Sequence, residues 1–313
     1  MLRGLVGGPL REIFGFTKQF NSRWVGHPIL NRAGLHVARM VATDALLALR
    51  RAELVLAGRR VGHDELARFR RDGIVALPEF LPTKVFEAMR DEARARVAEL
   101  PPPVRPIAPR GLRVEQPHAH GFDRFDGDTV NRYLTIDRAR MPHTTDALHD
   151  HRFAALCSLA TGFRHRIDRF RIYQTIHGDD RVNPDYQRRP HRDTFHSTIK
   201  LWLFLDDVPA SAGPFMYSPG SHRMTPQRAR WEHARAIAAS SPEARDRGGA
   251  FRVDADGLAA MMVPVPRPYP VAANTLVLAD VRGFHARGHA AAGAERLALY
   301  GNLRFWPFSP IAY

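Results

Sequence analysis

The hydrophobic period of this chain changes at Gly162, and that change restricts the fold more than any other feature. Beyond it, helical spacing gives way to short alternating runs rich in β-branched and aromatic residues: Phe170 to Ile176, Ser197 to Leu205, Thr275 to Leu278 and Leu297 to Leu303. Loops rich in Gly, Pro and Asp separate these runs. Many antiparallel strands behind a set of helices predict a mostly β protein with flanking α. Its core would be a jelly-roll barrel, the cupin-like arrangement that protects sheet edges, with N-terminal helices packed on it.

Upstream of Gly162 the spacing is helical. Gly34 to Glu53 spreads Leu35, Val37, Ala38, Val41, Leu46, Leu47 and Leu49 over broad apolar faces, with Arg39, Arg50 and Arg51 between them. His63 to Asp72 reads as a short helix stopped by Gly73, Ile74 to Leu77 as a short buried strand, and Lys84 to Leu100 as a long helix ending at a proline run. The Pro-rich stretch to Pro109 and the His-, Asp- and Gly-rich stretch from Arg110 to Arg140 read as loop and polar connection, suited to surface or active-site cover. A helical run follows from Thr144 to Leu159. At 313 residues the chain divides into an N-terminal helical extension, 1–60, and one large domain, 61–313.

The formal charge of +14 comes almost entirely from arginine, the lysines being Lys18, Lys84 and Lys200 alone. It favours anionic partners, but no nucleic-acid module, zinc-finger spacing or aromatic-basic RNA signature accompanies it. Met1 to Phe20 mixes Leu2, Leu5, Ile13, Phe14 and Phe16 with Arg3, Arg11 and Lys18, so peripheral membrane contact through this segment competes with packing on its own domain. No apolar run is long enough for a transmembrane helix, and the N-terminus lacks the core and cleavage site of a secretion signal. The lone cysteine, Cys157, cannot form an intrachain disulfide. A cytoplasmic protein is expected.

The strongest chemical signal is His191-X-Asp193, followed downstream by His285 and, eleven positions later, Arg296. Two imidazoles and a carboxylate are the set that holds a non-heme Fe(II) on one face and leaves the opposite positions open. An arginine on the strand after the last ligand supplies what a dicarboxylate co-substrate needs. His289 is a rival for the distal position, but its spacing to Arg296 is shorter and its surroundings are Gly/Ala-rich. His196 reads as a core residue and His222 as one that fixes its turn by hydrogen bonding. His118, His120 and His143 lack metal-ligand spacing.

One His-X-Asp arises readily by chance among sixteen histidines, whereas an ordered set of motifs does not. His63 to Leu81, His191-Arg192-Asp193, Leu203 to Val208, Ala212-Gly213-Pro214-Phe215, Ser218 to His222, His285 and Arg296 together resemble the phytanoyl-CoA dioxygenase family, over Val61 to Phe305. The resemblance implies a double-stranded β-helix oxygenase using Fe(II), 2-oxoglutarate and O2, with His191, Asp193 and His285 as ligands and Arg296 pairing with the distal carboxylate of 2-oxoglutarate. It further implies that Thr175 on one strand, and Lys200 and Trp202 on the next, line the co-substrate pocket, although alternation lets only half of such a strand face inward. Asp193 disfavours halogenation, because halogenases of the family carry a small residue there.

The sequence departs from the family at Arg287, where relatives often carry Ser or Thr; that arginine would face solvent or hold an anionic substrate. The reaction expected is hydroxylation of an aliphatic C–H in a small, anionic or lipid-like molecule. Desaturation, ring closure or demethylation at the same site is the alternative, as is a catalytically inactive barrel serving as a binding or membrane-peripheral scaffold. Substrate choice would lie in Pro101 to Arg140 and Thr225 to Pro266.

Overall fold

The computed structural model describes residues 8–105, 113–179 and 181–313. Part of the basic N-terminal stretch and the end of the Pro-rich stretch lie outside the described residues. The helices are α1 (Pro9–Ile13), α2 (Pro28–Arg32), α3 (Leu35–Leu56), α4 (His63–Asp72), α5 (Thr83–Ala98), α6 (Pro142–His149), α7 (His151–Thr161), α8 (Pro226–Ala239) and α9 (Ala255–Ala260). The strands are β1 (Ile74–Leu77), β2 (Val114–His118), β3 (Gly121–Asp126), β4 (Thr129–Leu134), β5 (Phe170–Ile176), β6 (Ile199–Phe204), β7 (Phe215–Tyr217), β8 (Arg267–Tyr269), β9 (Thr275–Asp280), β10 (His285–Arg287) and β11 (Glu295–Leu303).

Eight strands form a large antiparallel sheet in the order β1-β9-β6-β11-β5-β4-β3-β2, and β10-β7-β8 form a smaller one facing it. Side-chain alternation explains the layering. On β5, Phe170 and Ile172 point to the outer face, where α5, α6 and α7 bring Phe86, Met89, Leu148, Phe153 and Leu156; Tyr173 points inward. On β11, Leu297, Leu299 and Leu303 join the outer core while Ala298 and Tyr300 join the inner one with Trp202, Phe215 and Tyr217. The two sheets therefore enclose an aromatic interior. This is the jelly-roll barrel expected from the period change, in the double-stranded β-helix form that the family resemblance implies.

The polar connection read between Arg110 and Arg140 is instead sheet. It holds β2, β3 and β4, and every residue of β4 is buried. Its polar side chains satisfy one another: Arg132 Nε lies 3.0 Å from Asp123, and Asp126 Oδ2 accepts from Arg124 at 2.7 Å and Asn131 at 2.9 Å. Polar composition thus concealed strands whose polarity is internal. Thr225 to Pro266 likewise contains α8 and α9 rather than open loop. The helical run before Gly162 is broken in two at Asp150, whose side chain accepts from Phe153 N and caps α7.

Helix α3 forms where expected but buries a different face. His36, Arg39, Met40, Thr43, Leu47, Arg50 and Leu54 are covered, while Val41 and Leu49 are 52% and 61% exposed. The covered polar groups have partners. Arg50 donates to Pro307 O and Ser309 O, and the neighbouring Arg51 donates to Leu159 O and Ala160 O at the C-terminal end of α7.

The described part of the N-terminal stretch lies on its own domain. Arg39 donates to Ile13 O and Thr17 O, Arg304 to Phe16 O, and Trp306 to Phe14 O. Gly249, at φ 72°, sits where a Cβ would overlap the Lys18 carbonyl, so only glycine lets this strap approach. No described helix is long and apolar enough to cross a membrane.

Candidate active site

His191 and His285 lie opposite each other across an isolated antiparallel bridge, with His191 N donating to His285 O at 3.0 Å and His285 N to His191 O at 2.9 Å. This pairing places β10 and the chain after Pro190 side by side. The ring centroids are 4.5 Å apart. In each ring Nδ1 is turned to a carbonyl, Arg189 O at 2.8 Å and Gly283 O at 3.0 Å. An Nδ1–H donating there fixes the tautomer and leaves the Nε2 lone pair free. Asp193 Oδ1 stands 3.5 Å from His191 Nε2 and 3.8 Å from His285 Nε2, and the candidate ligand atoms of the three residues lie within 4.8 Å of one another.

The donor set fits a divalent metal. Buried His285 Nε2 has no hydrogen-bond partner, an arrangement that is costly unless something accepts that lone pair. Burial pushes the His285 imidazole down to about 3, and burial also lowers His191, so both rings are neutral at physiological pH, as ligands must be. Burial works against the Asp193 carboxylate, yet the Lys200 ammonium outweighs it and holds the group well below the usual range. Two nitrogens and one carboxylate oxygen suit Fe(II) and leave its other positions for a co-substrate and oxygen.

Arg192, between the two ligands in sequence, points the other way and is fully buried. Its Nε and Nη2 lie 2.8 and 2.7 Å from Glu232 of α8, and its Nη1 donates to Gly249 O at 2.7 Å. Arg228 makes two further bonds to Glu232, and His36 of α3 lies 3.0 Å from it. The ligand segment is thus anchored from behind by a charge cluster.

Arg296 lies on β11 opposite Thr175 of β5. It is buried and lines the same cavity as the three candidate ligands. One Nη donates to Gly213 O at 2.5 Å while Nε has no partner, so the guanidinium retains capacity for a carboxylate. Gly213, at φ 65°, is required here because a Cβ would meet the His177 ring. Trp202 lines the cavity; Thr175 is fully buried beside Arg296, its hydroxyl without a partner. Lys200 also lines the cavity, with Nζ 2.6 Å from Asp193 Oδ2.

Arg287 neither faces solvent nor stands free for a substrate. It is buried, bonding Asp185 at 2.5 Å and Asn131 at 2.7 Å, because β10 directs it into the polar patch that β3 and β4 share. His289 is exposed and bonds Arg188. His196 is buried against Phe195, away from the candidate metal ligands, and bonds Ser197 O. His222 Nε2 lies 3.1 Å from Arg70 O, tying its turn to α4. His118 and His120 lie beside Asp123 and Glu99 respectively, and the His143 backbone N–H donates to the Glu92 carboxylate.

The residue the sequence did not reveal is Lys18. The N-terminal strap carries it into the cavity, where Nζ donates to the main-chain carbonyl of Asp193 at 2.5 Å. A signal was present: two of only three lysines among 46 basic residues converge on one carboxylate residue. Tyr300, which forms the aromatic wall with Tyr173 and Trp202, carried no comparable mark.

No curated protein matches the chain. Distant likenesses occur among solved structures. The non-heme alpha ketoglutarate dependent epimerase SnoN from nogalamycin biosynthesis is 20% identical, at a TM-score of 0.45, over 78% of this chain and 85% of that one. HygX from Streptomyces hygroscopicus, solved with nickel and 2-oxoglutarate, is 17% identical, at 0.41, over 79% and 89%. EctD from S. alaskensis is 15% identical, at 0.43, over 80% and 81%. The family model for phytanoyl-CoA dioxygenase matches residues 69–256, a span that includes His191 and Asp193 and stops short of His285 and Arg296. That match takes in more than half of the sequence, and the chain belongs to the phytanoyl-CoA dioxygenase family.

Proposed function

We propose that this protein hydroxylates an unactivated aliphatic C–H of a small anionic molecule, with 2-oxoglutarate converted to succinate and CO2. The coarser statement follows from family and donor set: it is an Fe(II)- and 2-oxoglutarate-dependent oxygenase. In the proposed assignment His191, Asp193 and His285 hold the metal, and Arg296 holds the distal carboxylate of the co-substrate. When bound, the iron and 2-oxoglutarate supply the oxidising power that activates O2. The chain's own contribution is placement. Lys200 occupies Asp193 Oδ2, which leaves Oδ1 directed to the histidines, and the carbonyls at Arg189 and Gly283 keep both Nε2 atoms unprotonated. The aromatic wall excludes water from the reacting face.

The observation that carries this reading is Arg296, half satisfied and buried in the cavity that holds all three candidate ligands. A cavity of about 490 Å³ with more basic than acidic side chains supports a small anionic substrate over a lipid-like one. Buried, unpaired Cys157 supports placement in a reducing compartment.

Anaerobic titration of the purified protein with Fe(II) and then 2-oxoglutarate tests the assignment. The expected result is a weak visible charge-transfer band, absent in His191→Ala and requiring about ten-fold or more 2-oxoglutarate in Arg296→Ala. A folded wild-type protein with no band would overturn it.

A further inference from the structure

The cations of the cavity divide into two groups. Four are already matched to carboxylates: Arg124 with Asp126, Arg113 with Glu115, Arg287 with Asp185 and Lys200 with Asp193. Arg296 is assigned above to the co-substrate. Four remain: Lys18, Arg169, Arg171 and Arg304 all line the cavity, and none has a carboxylate within ion-pair distance among the described residues.

What holds these four is neutral. Arg171 donates to Asp168 O at 3.0 Å and Phe170 O at 2.6 Å. Arg304 donates to Phe16 O at 2.6 Å and keeps a buried Nε without a partner. Lys18 donates to Asp193 O, and Arg169 lies over the Phe305 ring, 5.5 Å from its centroid. Carbonyls and a ring face orient a cation without cancelling its charge. Among the described residues only two carboxylates line the cavity; Asp193 is a candidate metal ligand, and Asp168 is bonded to Arg166 outside it.

Strand register locates this group. On β11 the inward positions run Arg296, Ala298, Tyr300 and Asn302. Tyr300 stands opposite Arg171 and Trp202, and Asn302 opposite Lys200. Arg171 is therefore four residues along the sheet from Arg296, about 13 Å at ordinary strand rise, and Arg169 and Arg304 lie farther out. The single carboxylate seated on Arg296 is therefore not shared with these side chains. The row of Asn302 and Lys200, which bears Asp193, falls beside this rim, so an anion held there places its neighbouring carbons toward the metal ligands.

We propose that Lys18, Arg169, Arg171 and Arg304 form a seat for a phosphate group, and that the substrate is a small phosphomonoester. The inference rests on the oxygenase reading of the site. Phosphate offers three acceptor oxygens and close to two negative charges, which matches several diverging donors; a carboxylate offers two oxygens and one charge. The cavity volume restricts the rest of the molecule to a small body against Tyr173, Tyr300 and Trp202.

Paired probes test the seat. Phenyl phosphate and phenylacetate share a ring and differ in the anion, and each is titrated calorimetrically into the full-length protein, with and without Fe(II) plus 2-oxoglutarate under anaerobic conditions. Phenyl phosphate is expected to bind at least ten-fold more tightly. Arg171→Gln and Arg169→Gln should each weaken it ten-fold or more while keeping the Fe(II)/2-oxoglutarate band, and Arg230→Gln on the exposed side of α8 should change nothing. Equal binding of the two probes, no saturable binding, or insensitivity to both rim variants would overturn the proposal. Phenyl phosphate binding that responds to the rim variants in a wild-type protein without the visible band would leave the phosphate seat standing and refute the oxygenase reading alone.

Discussion

Lys200 illustrates how one side chain can be placed correctly on a strand and still have a different partner from the one its position suggests. Its inward register on β6 puts it in the cavity, and its ammonium lies 2.6 Å from Asp193 Oδ2. That contact determines which carboxylate oxygen faces the imidazoles. Removing the amine leaves Asp193 free to rotate and deprives it of the strongest charge holding it ionised. Lys200→Met is therefore expected to weaken Fe(II) binding about ten-fold, in the range found for residues that orient metal ligands, with a smaller effect on the 2-oxoglutarate concentration needed once iron is saturating. Separate titrations of metal and co-substrate distinguish the two. A variant that binds iron normally but requires far more 2-oxoglutarate would assign Lys200 to the co-substrate instead.

At the scale of elements, α8 matters through one carboxylate. Glu232 is fully buried between the Arg192 and Arg228 guanidiniums, which outweigh its burial and hold it well below the usual carboxylate range. Glu232→Gln leaves two buried cations without a counter-charge and is expected to cost about 3–5 kcal/mol, measured by urea unfolding, with weaker Fe(II) binding because Arg192 sits between two candidate ligands. A loss below about 1 kcal/mol, the value of an exposed pair, would show that water reaches the cluster. The same elements show what a linear reading can deliver. β1, α4 and β5 were legible because their apolar periods and the stop at Gly73 are local signals. The His-X-Asp and the distal histidine were legible because their residue types and order are specific. β3 and β4 were not, since Asp123, Asp126, Asn131 and Arg132 are polar in composition and paired only after the strands align. The covered face of α3 was misread for the same reason: its arginines and histidine are buried by partners far away in sequence. Lys18 escaped because a strap distant from the ligand motif brings it to Asp193.

The whole molecule depends on these long-range contacts more than a division at residue 60 suggests. α3 supplies His36 to Glu232, Arg39 to the strap that carries Lys18, Arg51 to the end of α7 and Arg50 to the C-terminal segment at Pro307 and Ser309. Met40 packs with Phe195, two residues after Asp193, and Phe308, while Leu54 packs with Leu159 and Ala312. Removing residues 1–60 would strip a partner from the Glu232 cluster, uncap α7 and expose apolar surface over both ends of the barrel. These losses are several kcal/mol against a total stability of about 5–15 kcal/mol for a folded domain. The full chain is accordingly expected to unfold in urea as one transition, coincident by tryptophan fluorescence and far-ultraviolet circular dichroism. The chain beginning at Val61 should show no cooperative transition and no Fe(II)/2-oxoglutarate band. A truncated chain that unfolds cooperatively at the same urea midpoint, or a full chain showing two separated transitions, would mean that the N-terminal helices are a dispensable layer and that the ligand geometry is held by the barrel alone.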